Sequence, residues 1–123
     1  MEIQRLLTNI CSKNLEHSKL FYVSLFDFKV NYDSDWFVHL ISEGRELEIG
    51  IISENHEIVP EQARAKITGA YVTFVVENVD AIFQKVQELD YKIIQAPEVT
   101  FYGQKRMLLL APESTVCDVS SPA

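Results

Sequence analysis

Between residues 14 and 26, apolar side chains recur at helical spacing: Leu15, Tyr22 and Leu25 in line with Ser18, joined by Phe21 and Phe26. That stripe predicts a helix with one buried face. Asn14 suits its N-cap, because its side-chain oxygen can accept from the open backbone N–H groups of the first turn. The stretch before it, residues 3–12, is β-rich and partly apolar. Three strand-like segments follow the helix, at 28–33, 36–42 and 46–53.

The same order then repeats. Residues 71–76 are β-branched and aromatic, Asn78 is a second cap, and Val79, Ile82, Phe83, Val86 and Leu89 form a second helical stripe. Both helices leave through nearly the same words, Asp27-Phe28-Lys29-Val30 and Asp90-Tyr91-Lys92-Ile93, and strand-like segments follow again at 92–95, 105–111 and 116–120. Each half reads β-α-β-β-β: module one is 1–53 and module two 69–123. The polar stretch 54–68, with Pro60, reads as a linker carrying one helical turn near 61–66. A four-stranded sheet with one helix covers only one of its faces, and a layered fold must bury the other. The expected architecture is α+β: two βαβββ modules forming a curved eight-stranded sheet around a cleft, with the helices outside.

Composition narrows the function. The 123 residues suffice for one domain with its own core. Eleven basic against 18 acidic residues, net −7, argue against nucleic acid or an anionic membrane as partner. Two cysteines, Cys11 and Cys117, do not make a disulfide framework. Alternation places Cys11 on the cleft face with Leu7 and Asn9 and Cys117 on the helix side, so both read as structural thiols. No segment reads as a signal peptide or membrane span, and a cytoplasmic location is expected.

Two motifs carry a family resemblance. Residues 15–28, Leu-Glu-His-Ser-Lys-Leu-Phe-Tyr-Val-Ser-Leu-Phe-Asp-Phe, resemble the first helix of the vicinal oxygen chelate superfamily, which includes glyoxalase I, bleomycin-resistance proteins and extradiol dioxygenases. Asp27 stands where those proteins usually carry Gly in a left-handed position, a conformation Asp tolerates. Residues 102–106, Tyr-Gly-Gln-Lys-Arg, running on to Leu110-Ala111-Pro112, are similar to the family's approach to its last strand.

The resemblance also points to site positions. Metal-using members take ligands from the first and fourth strands of each module, usually His, Gln or Glu. Counting back seven residues from Asn14 and Asn78 gives Leu7 and Tyr71, neither an ordinary ligand. The fourth-strand positions fall on Glu48 and Asp118. With two ligands of four lost, no metal and no cofactor is expected. Glu48 also reads as a solvated charge of the acidic run Glu43, Glu46, Glu48. Alternation would turn Leu47, Ile49 and Ile51 toward the helix.

Glu43-Gly44 resembles a two-residue hairpin loop. That register would pair Ser42 with Arg45 and set His39 opposite Glu48, with Cβ atoms about 5 Å apart. The carboxylate would fix the imidazole tautomer and suit a general base or a polar recognition pair. A histidine merely satisfied within the sheet is the bland alternative. His39, Glu48 and Asp118 are the candidate catalytic residues. Leu7, Phe37, Tyr71, Phe101 and Tyr102 are the candidate ligand-binding residues of an apolar, aromatic cleft. Trp36 alternates to the helix side and reads as core; His17 and His56 read as solvated.

The reading favoured is a metal-free protein binding a small molecule, similar to the bleomycin-resistance branch. The alternatives are a metal-dependent lyase, isomerase or dioxygenase of the glyoxalase type, metal-free acid–base catalysis through His39, and a non-catalytic protein with a closed cleft. Exposed sheet edges and the resemblance both imply a homodimer.

Overall fold

The structure, a computed structural model, describes residues 1–44 and 46–123 and divides into two compact units, 1–66 and 67–123. In the first, β1 (Thr8–Ser12) leads to α1 (Leu15–Phe26), then β2 (Lys29–Asp33), β3 (Phe37–Ser42) and β4 (Leu47–Ser53). In the second, β5 (Val72–Val75) leads to α2 (Val79–Glu88), then β6 (Lys92–Val99), β7 (Gln104–Leu110) and β8 (Val116–Pro122). The duplicated βαβββ order and the α+β class are as the sequence implies. The eight strands form two four-stranded sheets, ordered β1-β4-β3-β2 and β5-β8-β7-β6. Each is mixed, because its first strand lies parallel to its last while the other pairs are antiparallel.

Both caps form. Asn14 accepts from the His17 N–H at 3.0 Å and Asn78 from the Ala81 N–H at 3.2 Å, each relieving one open donor of its helix. Both helices end on a left-handed aspartate, Asp27 (φ 57°) and Asp90 (φ 59°). The repeated exit words thus do the work usually given to glycine. Helix α1 buries Phe21, Tyr22 and Leu25 against its sheet, whose contribution is Val38, Leu40 and Ile51. Helix α2 buries Val79 and Val86, and the sheet beneath supplies Met107, Leu109 and Val119. Each such side chain contributes about 1.5–3 kcal/mol by leaving water.

Several sequence expectations are corrected. Strand β3 ends at Ser42 and β4 begins at Leu47, so more than two residues join them, and the expected partner Arg45 lies outside the described residues. His39 therefore pairs with Gly50, while Ile41 stands opposite Glu48. Ile49 and Ile51 are buried as expected, but Leu47 is exposed at the turn, beyond the reach of the helix. Strand β5 starts at Val72, leaving Tyr71 just ahead of it. Segment 54–66 stays with the first unit, where Val59 is buried and residues Glu61–Ala63 make a short 3-10 turn. Among the described residues no helix is long and apolar enough to cross a membrane.

Candidate functional site

The helix-free face of the first sheet carries a polar cluster. Alternation along β3 sends Val38 and Leu40 to the helix and leaves His39 on the other face. The register error of two residues preserves that face, since side chains alternate with period two. His39 and Glu48 thus meet as diagonal neighbours, with Nε2 2.7 Å from Oε1. The Asn31 amide nitrogen lies 3.0 Å from Nδ1. With that amide donating to Nδ1, the imidazole proton sits on Nε2 and is donated to Glu48.

The other partner of Glu48 is Arg5, whose Nε donates to both carboxylate oxygens at 3.0 and 2.8 Å. Hydrogen bonds from Arg5 and then from His39 hold the Glu48 carboxyl at about 2, well below its ordinary 4.5. The carboxylate reciprocally raises the Arg5 guanidinium. A carboxylate so stabilised is a poor proton acceptor at neutral pH. Arg5 and Asn31 were not singled out in the sequence. Arg5 had a legible signal, since it falls in step with Leu7, Asn9 and Cys11 on one face.

The second sheet repeats the arrangement with different chemistry. Arg106 stands opposite Ser120, as His39 stands opposite Gly50, and Asp118 lies two residues before that partner, as Glu48 does. Arg106 Nε and Asp118 Oδ1 are 3.1 Å apart. Both atoms are shielded from solvent, and the N–H is not aligned for a hydrogen bond, so the contact is an ion pair. Asp118, at 6% exposure, also accepts from Thr73 Oγ1 at 3.2 Å. The carboxylate raises the Arg106 guanidinium against the effect of burial, with smaller contributions from Tyr102 and Tyr71. Thr73, opposite Asp118 in the β5–β8 pairing, holds the first-strand position that counting back from Asn78 assigned to Tyr71. This strand position lies two residues nearer the cap than its counterpart in the first unit, which is why the count slipped. Tyr71 is largely exposed, and Phe101 and Tyr102 form an exposed edge-to-face pair in the turn before β7.

The first unit also contains a cavity of about 290 Å³. Its floor is the helix-free face of the sheet, with Asn9 and Cys11 from β1, Phe37 from β3 and Ile52 from β4. Leu7 closes one side, and Ile58, Val59, Pro60 and Ala63 of the 54–66 segment cover it. The Cys11 thiol donates to the Ala63 carbonyl at 3.3 Å, tying that cover to the sheet. Trp36 lines the cavity instead of the helix core, because it precedes β3 and escapes the strand's alternation. Its indole stacks on His56 at 4.2 Å and 17°, so His56 is a packed residue rather than a solvated one. Leu7 and Phe37 thus share this cavity; Tyr71, Phe101 and Tyr102 belong to the second unit.

The donor set does not fit a metal. Leu7 has no donor atom, Glu48 is occupied by Arg5 and His39, and Asp118 by Arg106 and Thr73. Among the described residues no three His, Cys, Asp or Glu side chains are grouped to hold an ion.

Residues 6–123 match the glyoxalase-like domain family. A comparison with curated proteins gives no match. Among solved structures, a glyoxalase/bleomycin resistance protein/dioxygenase family enzyme from Burkholderia phytofirmans PsJN is similar at 22% identity, over 95% of this chain and 97% of that one, with a TM-score of 0.79. A member of the same superfamily from Sphaerobacter thermophilus DSM 20745 is 16% identical over 98% of both chains, with a TM-score of 0.78. The fosfomycin resistance protein FosX from Listeria monocytogenes is 12% identical over 100% of this chain and 96% of its own, with a TM-score of 0.76. At these identities the structures attest the fold, and the family match covers nearly the whole sequence. The chain belongs to the glyoxalase-like domain family, within the vicinal oxygen chelate superfamily.

Proposed function

We propose that this protein binds a small molecule in the first-unit cavity and works without a resident metal. The observation that carries the reading is that each candidate ligand carboxylate is already matched by a guanidinium of its own chain, Arg5 on Glu48 and Arg106 on Asp118. A divalent cation would have to displace a bound positive charge at both positions, and Leu7 offers it nothing. The cavity supports the binding half of the reading, since a half-open, apolar and aromatic hollow with few polar groups is the usual form of a small-molecule site. The alternative, a metal-dependent lyase, isomerase or dioxygenase, requires those arginines to leave. Acid–base catalysis through His39 requires a ring nitrogen to be released from Asn31 or Glu48.

Trp36 is the one tryptophan of the chain and lines the cavity, so its emission reports occupancy directly. A screen of small apolar and amphipathic molecules should give saturable changes in Trp36 emission with matching thermal stabilisation. No hit across a broad library would refute the binding reading. Stoichiometric metal by elemental analysis after metal-supplemented expression would refute the metal-free one. A homodimer belongs to the same proposal: edge strand β2 exposes all five of its residues, an edge that a second copy would cover. Light scattering showing only monomer at micromolar concentration would remove that part.

A further inference from the structure

The geometry points to an uncharged, flat ligand of about two fused rings, bearing one hydrogen-bonding group that meets the Asn9 side-chain amide. This inference rests on the small-molecule reading of the same cavity and specifies its ligand class.

Size comes first. A cavity of about 150 Å³ lined by Leu, Ile and Phe accommodates a single benzene ring. At about 290 Å³, this one has room for roughly twice that. Shape follows from its aromatic walls. Trp36 and Phe37 lie 5.6 Å apart at 35°, and the indole is held from behind by His56. Walls of this kind favour a flat partner in offset or edge contact.

Charge is decided by what the lining lacks. Among the described residues that line the cavity there is no Asp, Glu, Lys or Arg. The nearest guanidinium on the covering segment, Arg64, is turned to the backbone carbonyls of His56 and Val59, both at 3.4 Å. The charges beyond Leu7 neutralise one another, Arg5 against Glu48. An ionised ligand would therefore give up part of its hydration with no counter-charge to replace it.

Polarity narrows to the Trp36 indole N–H, a donor only, and the Asn9 amide, which can both donate and accept. The Cys11 thiol is engaged by the Ala63 carbonyl. The Asn9 amide, by contrast, is exposed at the edge of the cavity and has no hydrogen-bond partner among the described residues, so it is free to meet a ligand. Its position depends on Gly50, the β4 residue paired with Asn9: a Cβ there would run into Asn9 Oδ1 and come within 2.8 Å of Phe37 Cε1. Gly50 thus lets the amide and the Phe37 ring close over the strand together. At the corresponding place in the second unit, Ser120 pairs with Val75, and neither feature is reproduced.

The test uses four probes on the purified full-length chain, by calorimetry and thermal shift. They are 2-naphthol (two rings, neutral, one hydroxyl), 2-naphthoate (two rings, anionic), naphthalene (two rings, no polar group) and phenol (one ring). 2-Naphthol is expected to bind saturably, with 2-naphthoate and phenol each weaker by about tenfold or more. Asn9→Ala should weaken 2-naphthol by about three- to tenfold, the equivalent of one hydrogen bond, and leave naphthalene unchanged. Ala63→Trp, which fills the cavity from its cover, should abolish binding of all four. Circular dichroism and melting of both variants establish that they fold. Naphthoate binding as tightly as naphthol overturns the neutral-ligand inference, and phenol doing so overturns the size. An Asn9→Ala variant that binds 2-naphthol like the parent overturns the amide contact. If no two-ring probe binds while a broad library yields other Trp36-reported ligands, this inference fails and the small-molecule reading stands.

Discussion

The two units place an acid and a base at the same register positions and complete the pair differently. In the second, base and acid come from adjacent strands: Arg106 on β7 reaches Asp118 on β8, and Thr73 fills in from β5. In the first, the strand position holds His39, and the permanent positive charge arrives from outside the sheet on Arg5, whose side chain is 60% exposed. The two carboxylates are almost equally shielded, at 9% and 13% side-chain exposure, but one has its arginine within the sheet and the other is clamped by an arginine lying mostly in water. The difference teaches that a duplicated scaffold preserves the geometry of a pair more readily than its chemistry. A second asymmetry accompanies it: Gly50 makes room for Asn9 and Phe37 in the first unit, where the second has Ser120.

The comparison is broken or sharpened most strongly at Asp118. Asp118→Ala leaves the shielded Arg106 Nε without its counter-charge, and about 2–3 kcal/mol of stability should be lost, less than the roughly 3–5 kcal/mol of a fully buried pair because Arg106 keeps 26% exposure. Calorimetry should show a melting temperature lower by roughly 10 °C, with a clearly smaller drop for Glu48→Ala; equal drops would erase the distinction between the sheet-paired and the clamped carboxylate.

The helix caps test the opposite claim, that the halves are alike. Asn14→Ala and Asn78→Ala should each cost about 1 kcal/mol in urea unfolding, because each removes one equivalent side-chain cap. A markedly unequal pair of values would show that the repeat is not equivalent at its caps.

Acid separates the units next. The Glu48 carboxyl is held at about 2 against an ordinary 4.5, so its stabilisation is complete above 4.5 and is lost as the pH falls toward 2. The stability difference between the parent and Glu48→Gln should therefore be constant from pH 7 to about 5 and shrink below it. A difference that persists at pH 2 would contradict the clamp. The smallest effect is expected at Arg5. Arg5→Ala should lower the melting temperature only slightly, since the side chain is mostly in water, and by no more than the accompanying rise of the Glu48 titration accounts for. It should nevertheless let the Glu48 titration, followed by carboxyl NMR, rise toward the ordinary range.

Much of this was legible in the chain. The two stripes, Asn14 and Asn78 and the repeated exit words fix both helices, because helical periodicity and capping are local. The face on which His39 and Glu48 meet was legible as well, since alternation survives a register shift of two. The partners of the carboxylates were not. Arg5 lies 43 residues from Glu48 and Thr73 lies 45 from Asp118, and nothing local marks such pairs. Trp36 and His56 were misplaced because neither lies inside a strand, where alternation would have constrained it. Tyr71 was misassigned because a count from the cap assumes one spacing for both halves, and the position opposite the carboxylate lies two residues nearer the cap in the second.

The sequence by itself determined the duplicated βαβββ order and the α+β class, through periodicity and residue chemistry that act over a few positions. Tertiary structure alone decided that Arg5 and Arg106 neutralise the remaining carboxylates and that segment 54–66 covers a cavity floored by Asn9, Phe37 and Ile52. Such contacts depend on where distant parts of the chain come to rest, and that is set by the packing of the whole unit.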